Sequence, residues 1–323
     1  MRKPERLGRP SVAGVIGVPS ALREQLTLNL KQTFQLAVRV APEENPMDAT
    51  ALARDFMSFL SDPEVGAIFV SIGHEMAQAV IPSVDWKAAR DHVKIIVLPT
   101  SAAALAFALR RESDVQSFLG PPLTSLAERP QIRGYTKRSM NRLLFRSDPP
   151  GLISPSTRWT DEPVRSRGRR RWLLNPGSVW IRRGRAEGTL LGGSLEAVSL
   201  LLGTDLWPDF SGSLLYLDPG EGPDAASSLE GLLVRLDEEG LLRRISGLVT
   251  GRGAHQTFDE HARIHAVLKS GTASAGIPVM ADIDLGPSDP VMTVPFGARA
   301  ALDPRRGFSV LEGGVMSTAV RSS

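Results

Sequence analysis

Four short runs of β-branched and apolar residues, SVAGVIGV, LAVRVA, VGAIFVSI and VKIIVLP, recur between residues 11 and 99 with helix-like segments between them. Runs this short and this uniformly apolar have to be buried on both faces, as parallel strands covered by helices are. One intervening segment, MDATALARDFMSFLSD, carries apolar positions at helical spacing after an Asp placed to cap a helix. Residues 12 to 128 therefore read as an α/β unit with a parallel sheet. In such sheets ligands lie beyond the carboxyl ends of the strands. The turns at Pro19-Ser20, Ile72-Gly73-His74 and Pro99-Thr100-Ser101 are accordingly expected on one edge.

A second block of strand and helix patterns follows. SGSLLYLD, ISGLVTG and IPVMADIDLG read as strands, and SSLEGLLVRLDEEG as an amphipathic helix between the first two. The stretch between the blocks is rich in Arg, Pro and Ser and weakly periodic. The expected organisation is an N-terminal α/β domain over residues 1–128, a basic connector over 129–178 and a C-terminal domain over 179–323. With 42% hydrophobic residues in 323, material for such cores is ample.

The chain has no cysteine, which excludes disulfides, thiol catalysis and zinc ribbons. No stretch approaches the roughly 18 uninterrupted apolar residues of a membrane helix. The early GVIGV fits a buried strand better than a secretion signal, and a cytoplasmic, non-membrane protein is expected. Net charge is only +3, yet Arg129 to Arg185 holds 15 Lys and Arg against 3 Asp and Glu. Its densest part, PVRSRGRRRW at 163–172, is either a solvated connector or a place for bidentate Arg contacts to phosphate or carboxylate. Nucleic-acid binding is not indicated, because aromatic residues are not interleaved with the charge.

IIVLPTSAAALAFALRR, residues 95–111, has the strand-turn-helix layout in which a hydrolase presents a nucleophile. Thr100 or Ser101 is then either the nucleophile or the cap of the following helix, with Arg110 and Arg111 near its negative end. His74 is a candidate base on the same edge, with Glu75 beside it in sequence. His261 and His265 are four apart, a spacing that can bind metal on a helix, although a solvated face is the expected reading and no metal or cofactor is assigned. Asp282 and Asp284 alternate on a strand and are expected to share a face in a structural role.

The most specific signal is RRGRAEGTLLGGSLEAVSLLLGTDLWPDFSGSLLYLD, residues 182–218. Gly184, Ala186, Gly188, Leu190, Gly192, Gly193, Leu195, Gly203, Thr204, Pro208 and Gly212 fall in register with a pattern that resembles the serine LD-carboxypeptidase family, which includes the microcin C immunity peptidases. VIGVPSA, DPEVGAIFVSIGHEMAQAVIPSVDW, IPVMADIDLG and VPFGARAALD extend the likeness across most of residues 12–303. The resemblance implies a Rossmann-like N-terminal domain with a parallel sheet, a smaller mixed α/β C-terminal domain, an active site in the groove between them and a homodimer.

The resemblance also implies a Ser-Glu-His triad, and this chain departs from it at each position. Thr100 stands for the family's Ser, Asp218 for its Glu and Pro287 for its His. Proline has no side-chain base, and Thr is a poor fit to a strained elbow. Gly73 and His74 fall in the turn that supplies oxyanion donors, Glu187 lies beside the Gly192-Gly193 run, and Trp180 with Arg185 offers a ring and a charge for a nucleotide. The expected function is binding or altered processing of a small peptide, amino-acid conjugate or aminoacyl nucleotide, without the family triad. Two further readings stay open: an amide hydrolase or acyl transferase rebuilt around Thr100, Ser101, His74 and Asp218, and a register slip of one residue that makes Ser101 the nucleophile.

Overall fold

The structure, a computed structural model, describes residues 1–42, 48–127, 131–162 and 170–317. The chain begins with β1 (Ser11–Ile16), α1 (Ser20–Phe34), β2 (Leu36–Val40), α2 (Ala49–Ser61), β3 (Val65–Val70), α3 (His74–Val80), α4 (Trp86–Asp91) and β4 (Ile95–Leu98). It continues with α5 (Ala103–Ser113), β5 (Phe118–Leu119), α6 (Leu123–Ala127), α7 (Gly134–Leu144), β6 (Gly151–Leu152), β7 (Arg158–Trp159), β8 (Leu173–Leu174) and β9 (Val179–Arg182). The remainder is β10 (Ala186–Ser194), α8 (Leu195–Leu201), β11 (Leu214–Asp218), α9 (Ala225–Glu238), β12 (Gly247–Gly251), α10 (Phe258–Gly271), β13 (Val279–Ile283), β14 (Val294–Pro295), β15 (Arg299–Asp303) and β16 (Gly307–Val310). Two compact units result: Met1–Pro149 with Thr293–Phe296 and Gly313–Ser323, and Pro150–Met292 with Gly297–Glu312.

The first unit is built on a six-stranded sheet in the order β14-β5-β4-β3-β1-β2. The four runs read as strands in the sequence are β1 to β4, and with β5 they are all parallel. Burial explains the absence of polar alternation in β3 and β4, where Ala67 to Val70 and all of β4 are sealed from solvent, whereas the edge strand β2 alternates, with Ala37 and Arg39 exposed. Leu26, Leu30 and Phe34 of α1 belong to the same core as Phe69, Val97 and Phe118. The order 2-1-3-4-5 places a topological switch point at β1 and β3, and the turns after β1, β3 and β4 share one edge as expected.

Asp48 caps α2 as the sequence indicates, accepting from the backbone N–H of Thr50 at 2.9 Å and of Ala51 at 3.1 Å. Asp48→Ala is expected to cost about 1 kcal/mol in denaturant unfolding. Helix α7, in contrast, lies in a stretch whose periodicity looked weak. Its buried Thr136, Met140, Leu143 and Leu144 do follow helical spacing, but Lys137, Arg138 and Arg142 between them mask the pattern.

The second unit holds an eight-stranded sheet, β6-β16-β15-β10-β11-β12-β13-β9. Strands β10 to β13 are parallel, and β9, β15 and β16 run antiparallel to their neighbours. The nine-residue β10 does double duty. Ala186 to Thr189 pair with β15, and Leu190 to Ser194 with β11. At its end Ser194 caps α8, accepting from the Ala197 N–H at 3.2 Å. Strand β13 departs from regular pairing: Val249 sits opposite Met280 but Gly251 opposite Ile283, so β13 carries one extra residue there. Asp282, in that extra step, has φ of 64°.

Candidate functional site

In the first unit, the strand-turn-helix segment forms without the strain of a nucleophile elbow. Pro99 (φ −68°, ψ 161°) leaves β4 in extended backbone, and Thr100 to Ala102 make a single 3-10 turn before α5. Thr100 is buried, and it is not among the positive-φ residues. Neither Thr100 nor Ser101 stands at a cap position. Ala102, whose side chain makes no cap hydrogen bond, occupies the cap position of α5, and Pro99 that of the 3-10 turn. The Ser101 hydroxyl instead donates to the Ile72 carbonyl at 3.1 Å, tying the turn after β4 to the turn after β3. An N-cap side chain acts from the residue just before the first α-helical turn, and the intervening 3-10 turn puts Ala102 there.

Gly73 caps α3 in extended backbone (φ −79°, ψ 175°), and a Cβ there would meet nothing within 4 Å. His74 opens α3 and is half-buried, while Glu75 is exposed.

In the second unit, Asp218 ends β11 beside Ser194 of β10. It is buried and accepts from the Gly220 N–H at 2.9 Å. A Cβ on Gly286 would come within 3.1 Å of its Oδ1, so the Asp218 carboxylate faces the Gly286-Pro287 turn. Nearby Tyr216 donates to the Leu285 carbonyl at 2.9 Å, and burial, reinforced by the Asp218 charge, pushes its phenol well up.

Other residues expected near a ligand lie elsewhere. Glu187 pairs with Arg299, and Arg185 lies 3.5 Å from Asp303, both toward the amino end of β10. Seven residues of extended strand, about 23 Å, separate Glu187 from the Asp218 end of that strand. Gly192 and Gly193 are buried opposite Tyr216 and Leu217. Trp180 is half-buried on β9 opposite Met280. Of the densest basic run, 163–169 lie outside the described residues. Within the remainder of that run Arg170 is buried, ion-paired with Asp289 and 5.4 Å from the Trp172 ring.

Two sequence expectations need correction. Asp282 and Asp284 do not share surroundings, because the extra residue and left-handed backbone at Asp282 break the alternation. Asp284 accepts from the Ser156 N–H at 2.6 Å, from Asn175 at 3.0 Å and from Arg252 at 2.9 Å. Asp282 turns instead to α10, where its Oδ1 lies 3.0 Å from His261 Nε2 and its Oδ2 3.0 Å from His265 Nε2. His261 and His265 are therefore not a solvated face. Burial by itself would raise the Asp282 carboxyl, but the hydrogen bonds and charge of the two imidazoles outweigh it and hold the group well below the usual carboxylate range. The hydrogen bond to Asp282 lifts His261 above its ordinary value against the opposing effect of burial.

Sequence reasoning passed over Arg252 altogether. It is sealed from solvent, lies 4.7 Å over the Trp159 ring, and donates to Asp284, to Asn175 at 2.9 Å and to the Asp282 carbonyl at 2.8 Å. The available signal was an Arg flanked by glycines directly after a strand, GLVTGRG, at the carboxyl edge of the sheet.

Comparison with known proteins places the fold. The Bacillus subtilis protein YocD, which carries a carboxypeptidase name, is 26% identical over 273 residues, 83% of each chain. The microcin C7 self-immunity protein MccF of Escherichia coli is 24% identical over 264 residues, covering 78% of this chain and 75% of that one. Among solved structures, MccF in complex with aspartyl sulfamoyl adenosine superposes with a TM-score of 0.87 at 19% identity, covering 98% of this chain and 100% of that one. An MccF-like protein from Streptococcus pneumoniae in complex with AMP gives 0.74 at 19% identity, over 94% and 98%. No helix among the described residues is long and apolar enough to cross a membrane. Residues 14–120 match the LD-carboxypeptidase N-terminal domain and 187–302 the C-terminal domain, so the chain belongs to the LD-carboxypeptidase family.

Proposed function

We propose that this chain binds a small peptide, amino-acid conjugate or aminoacyl nucleotide and does so without the family's Ser-Glu-His chemistry. The reading rests on Asp218. Its carboxylate faces the Gly286-Pro287 turn, and the residue that follows Gly286 in that turn carries no proton acceptor. A carboxylate in this place orients a histidine in the family the chain resembles, and here Pro287 stands where that histidine is expected. Thr100 in the nucleophile's place, buried and in unstrained backbone, fits the same loss. Removing the base alone lowers turnover of a serine hydrolase by roughly 10⁴ to 10⁶. The ligand class follows from the aminoacyl sulfamoyl nucleoside and AMP complexes of the structural relatives. A hydrolase rebuilt on Ser101 has to release its hydroxyl from the Ile72 carbonyl first. The reading also takes from the resemblance a cytoplasmic homodimer and a role of the self-immunity type.

Thermal unfolding with aspartyl sulfamoyl adenosine tests the binding half. Stabilisation that rises with the logarithm of ligand concentration is expected, worth about 2.7 kcal/mol at a hundredfold excess over Kd. An unmoved transition overturns it. Mass-spectrometric assay of a hydrolysable aspartyl dipeptide tests the other half: no product above the buffer control is expected, and turnover above about 1 s⁻¹, in the range of working enzymes, overturns the loss of chemistry.

A further inference from the structure

Among the described residues, His261, His265 and Asp282 form a group whose ligand atoms all lie within 4.8 Å of one another. The arrangement is assembled by three separate features of the second unit. Thr257 caps α10 by accepting from the Glu260 N–H at 3.1 Å, which sets His261 and His265 one turn apart on one face. Helix α10 is the crossover between β12 and β13, so it packs back on the sheet near the end of β13. The extra residue in β13 and the left-handed φ at Asp282 then swing that carboxylate out of strand alternation and onto the two imidazoles. Arg252 fixes the swing by donating to the Asp282 carbonyl at 2.8 Å.

Bulges and left-handed non-glycine backbone concentrate where a side chain must be aimed at a site. Here the aimed group is buried, with its side chain 5% exposed, while His261 and His265 are 33% and 24% exposed. The cluster is thus anchored on one side and open to water on the other. Two imidazole nitrogens and one carboxylate oxygen are a donor set for zinc and its neighbours in the first transition row, whereas calcium and magnesium favour all-oxygen sites. Tetrahedral bonds of about 2.0–2.1 Å place ligand atoms about 3.3 Å apart, which the present cluster reaches by small side-chain rotations.

We propose that His261, His265 and Asp282 bind a divalent first-row transition metal, with at least one coordination position left to water or a ligand. Each imidazole coordinates through Nε2 as the neutral tautomer that keeps its hydrogen on Nδ1, and any further proton it carries leaves to solvent. The proposal is independent of the ligand-binding reading above, since none of these three residues enters it.

Isothermal titration of EDTA-treated, desalted full-length protein with ZnCl2 is the test, with CoCl2 absorption spectra reporting coordination. One ion per chain with micromolar or tighter Kd is expected, with Co²⁺ bands of the intense, low-symmetry kind. His265→Gln and Asp282→Asn should each weaken binding about a hundredfold or more; Asn tolerates the left-handed backbone at 282, so the second variant keeps the fold. His255→Gln, which alters the separate His255–Glu221 pair, should leave the affinity unchanged. Absence of zinc binding by the wild type overturns the proposal, and so does wild-type affinity in folded His261→Gln/His265→Gln protein.

Discussion

Gly192→Ala is expected to leave little folded protein. The Cβ it adds would sit 1.7 Å from the Tyr216 carbonyl oxygen and 2.6 Å from its carbon, both main-chain atoms of the paired strand β11. Neither can rotate away, so the strands must separate or the pairing must break. Backbone φ of 144° at residue 192 adds strain for any residue with a side chain. The combined cost is expected to exceed about 4–5 kcal/mol, a large share of the 5–15 kcal/mol that typically stabilises a domain. Denaturant unfolding followed by circular dichroism checks it. Gly73→Ala is the matched control: φ is −79° there and the new methyl meets nothing, so only the small cost of Ala at a helix cap, at most about 1 kcal/mol, is expected. A Gly192→Ala protein within 1 kcal/mol of wild type would show that β10 and β11 can move apart cheaply.

Arg252→Ala should cost about 3–5 kcal/mol, chiefly because it strands a buried charge. Asp284, with its side chain 1% exposed, keeps hydrogen bonds from Ser156 and Asn175 but loses its cationic partner at 2.9 Å. The Trp159 ring loses the guanidinium above it, and the Asp282 carbonyl loses a donor. Arg252→Lys retains the charge but not the planar fork that reaches Asp284, Asn175 and the Asp282 carbonyl together, so most of the loss should remain. The informative comparison is Arg252→Met/Asp284→Leu. Removing both charges should recover much of what Arg252→Ala loses, because the desolvation of Asp284 disappears with it. A double variant no better than the single one would show that the guanidinium acts through packing on Trp159 instead. Chemical denaturation of the wild type and these variants, with Arg252→Met and Asp284→Leu added as the single variants of a double-mutant cycle, separates these outcomes.

The same residues mark where the sequence was legible and where it was not. β1, β3 and β4 read as apolar runs because strands buried on both faces need no partner to reveal their pattern, and the edge strand β2 read through its β-branched residues although it alternates with exposed Ala37 and Arg39. Asp48 read as a cap because the N–H groups it serves are two and three residues away. Helix α7 escaped notice because basic residues fill the positions between its buried ones. The pairs that make up the second unit's polar interior were not legible at all. Asn175 and Asp284 are 109 residues apart, and their contact exists only once β13 and the segment after β8 are packed together.

The candidate site divides in the same way. The sequence by itself determined the parallel strands, the shared edge on which the turns after β1, β3 and β4 lie, and the chemical identities of Thr100, Asp218 and Pro287, because these follow from local periodicity and from residues read in register. Only the tertiary structure decided what those groups do with their polar atoms. Ser101 donates to Ile72 across from β4 to β3, Asp218 faces Gly286, and one extra residue in β13 sends Asp282 to His261 and His265 while Asp284 goes to Arg252. The physical reason is that a hydrogen bond or ion pair depends on angstrom-scale placement of two distant segments. A single-residue slip in strand register, invisible in the periodicity, changes which face a side chain meets.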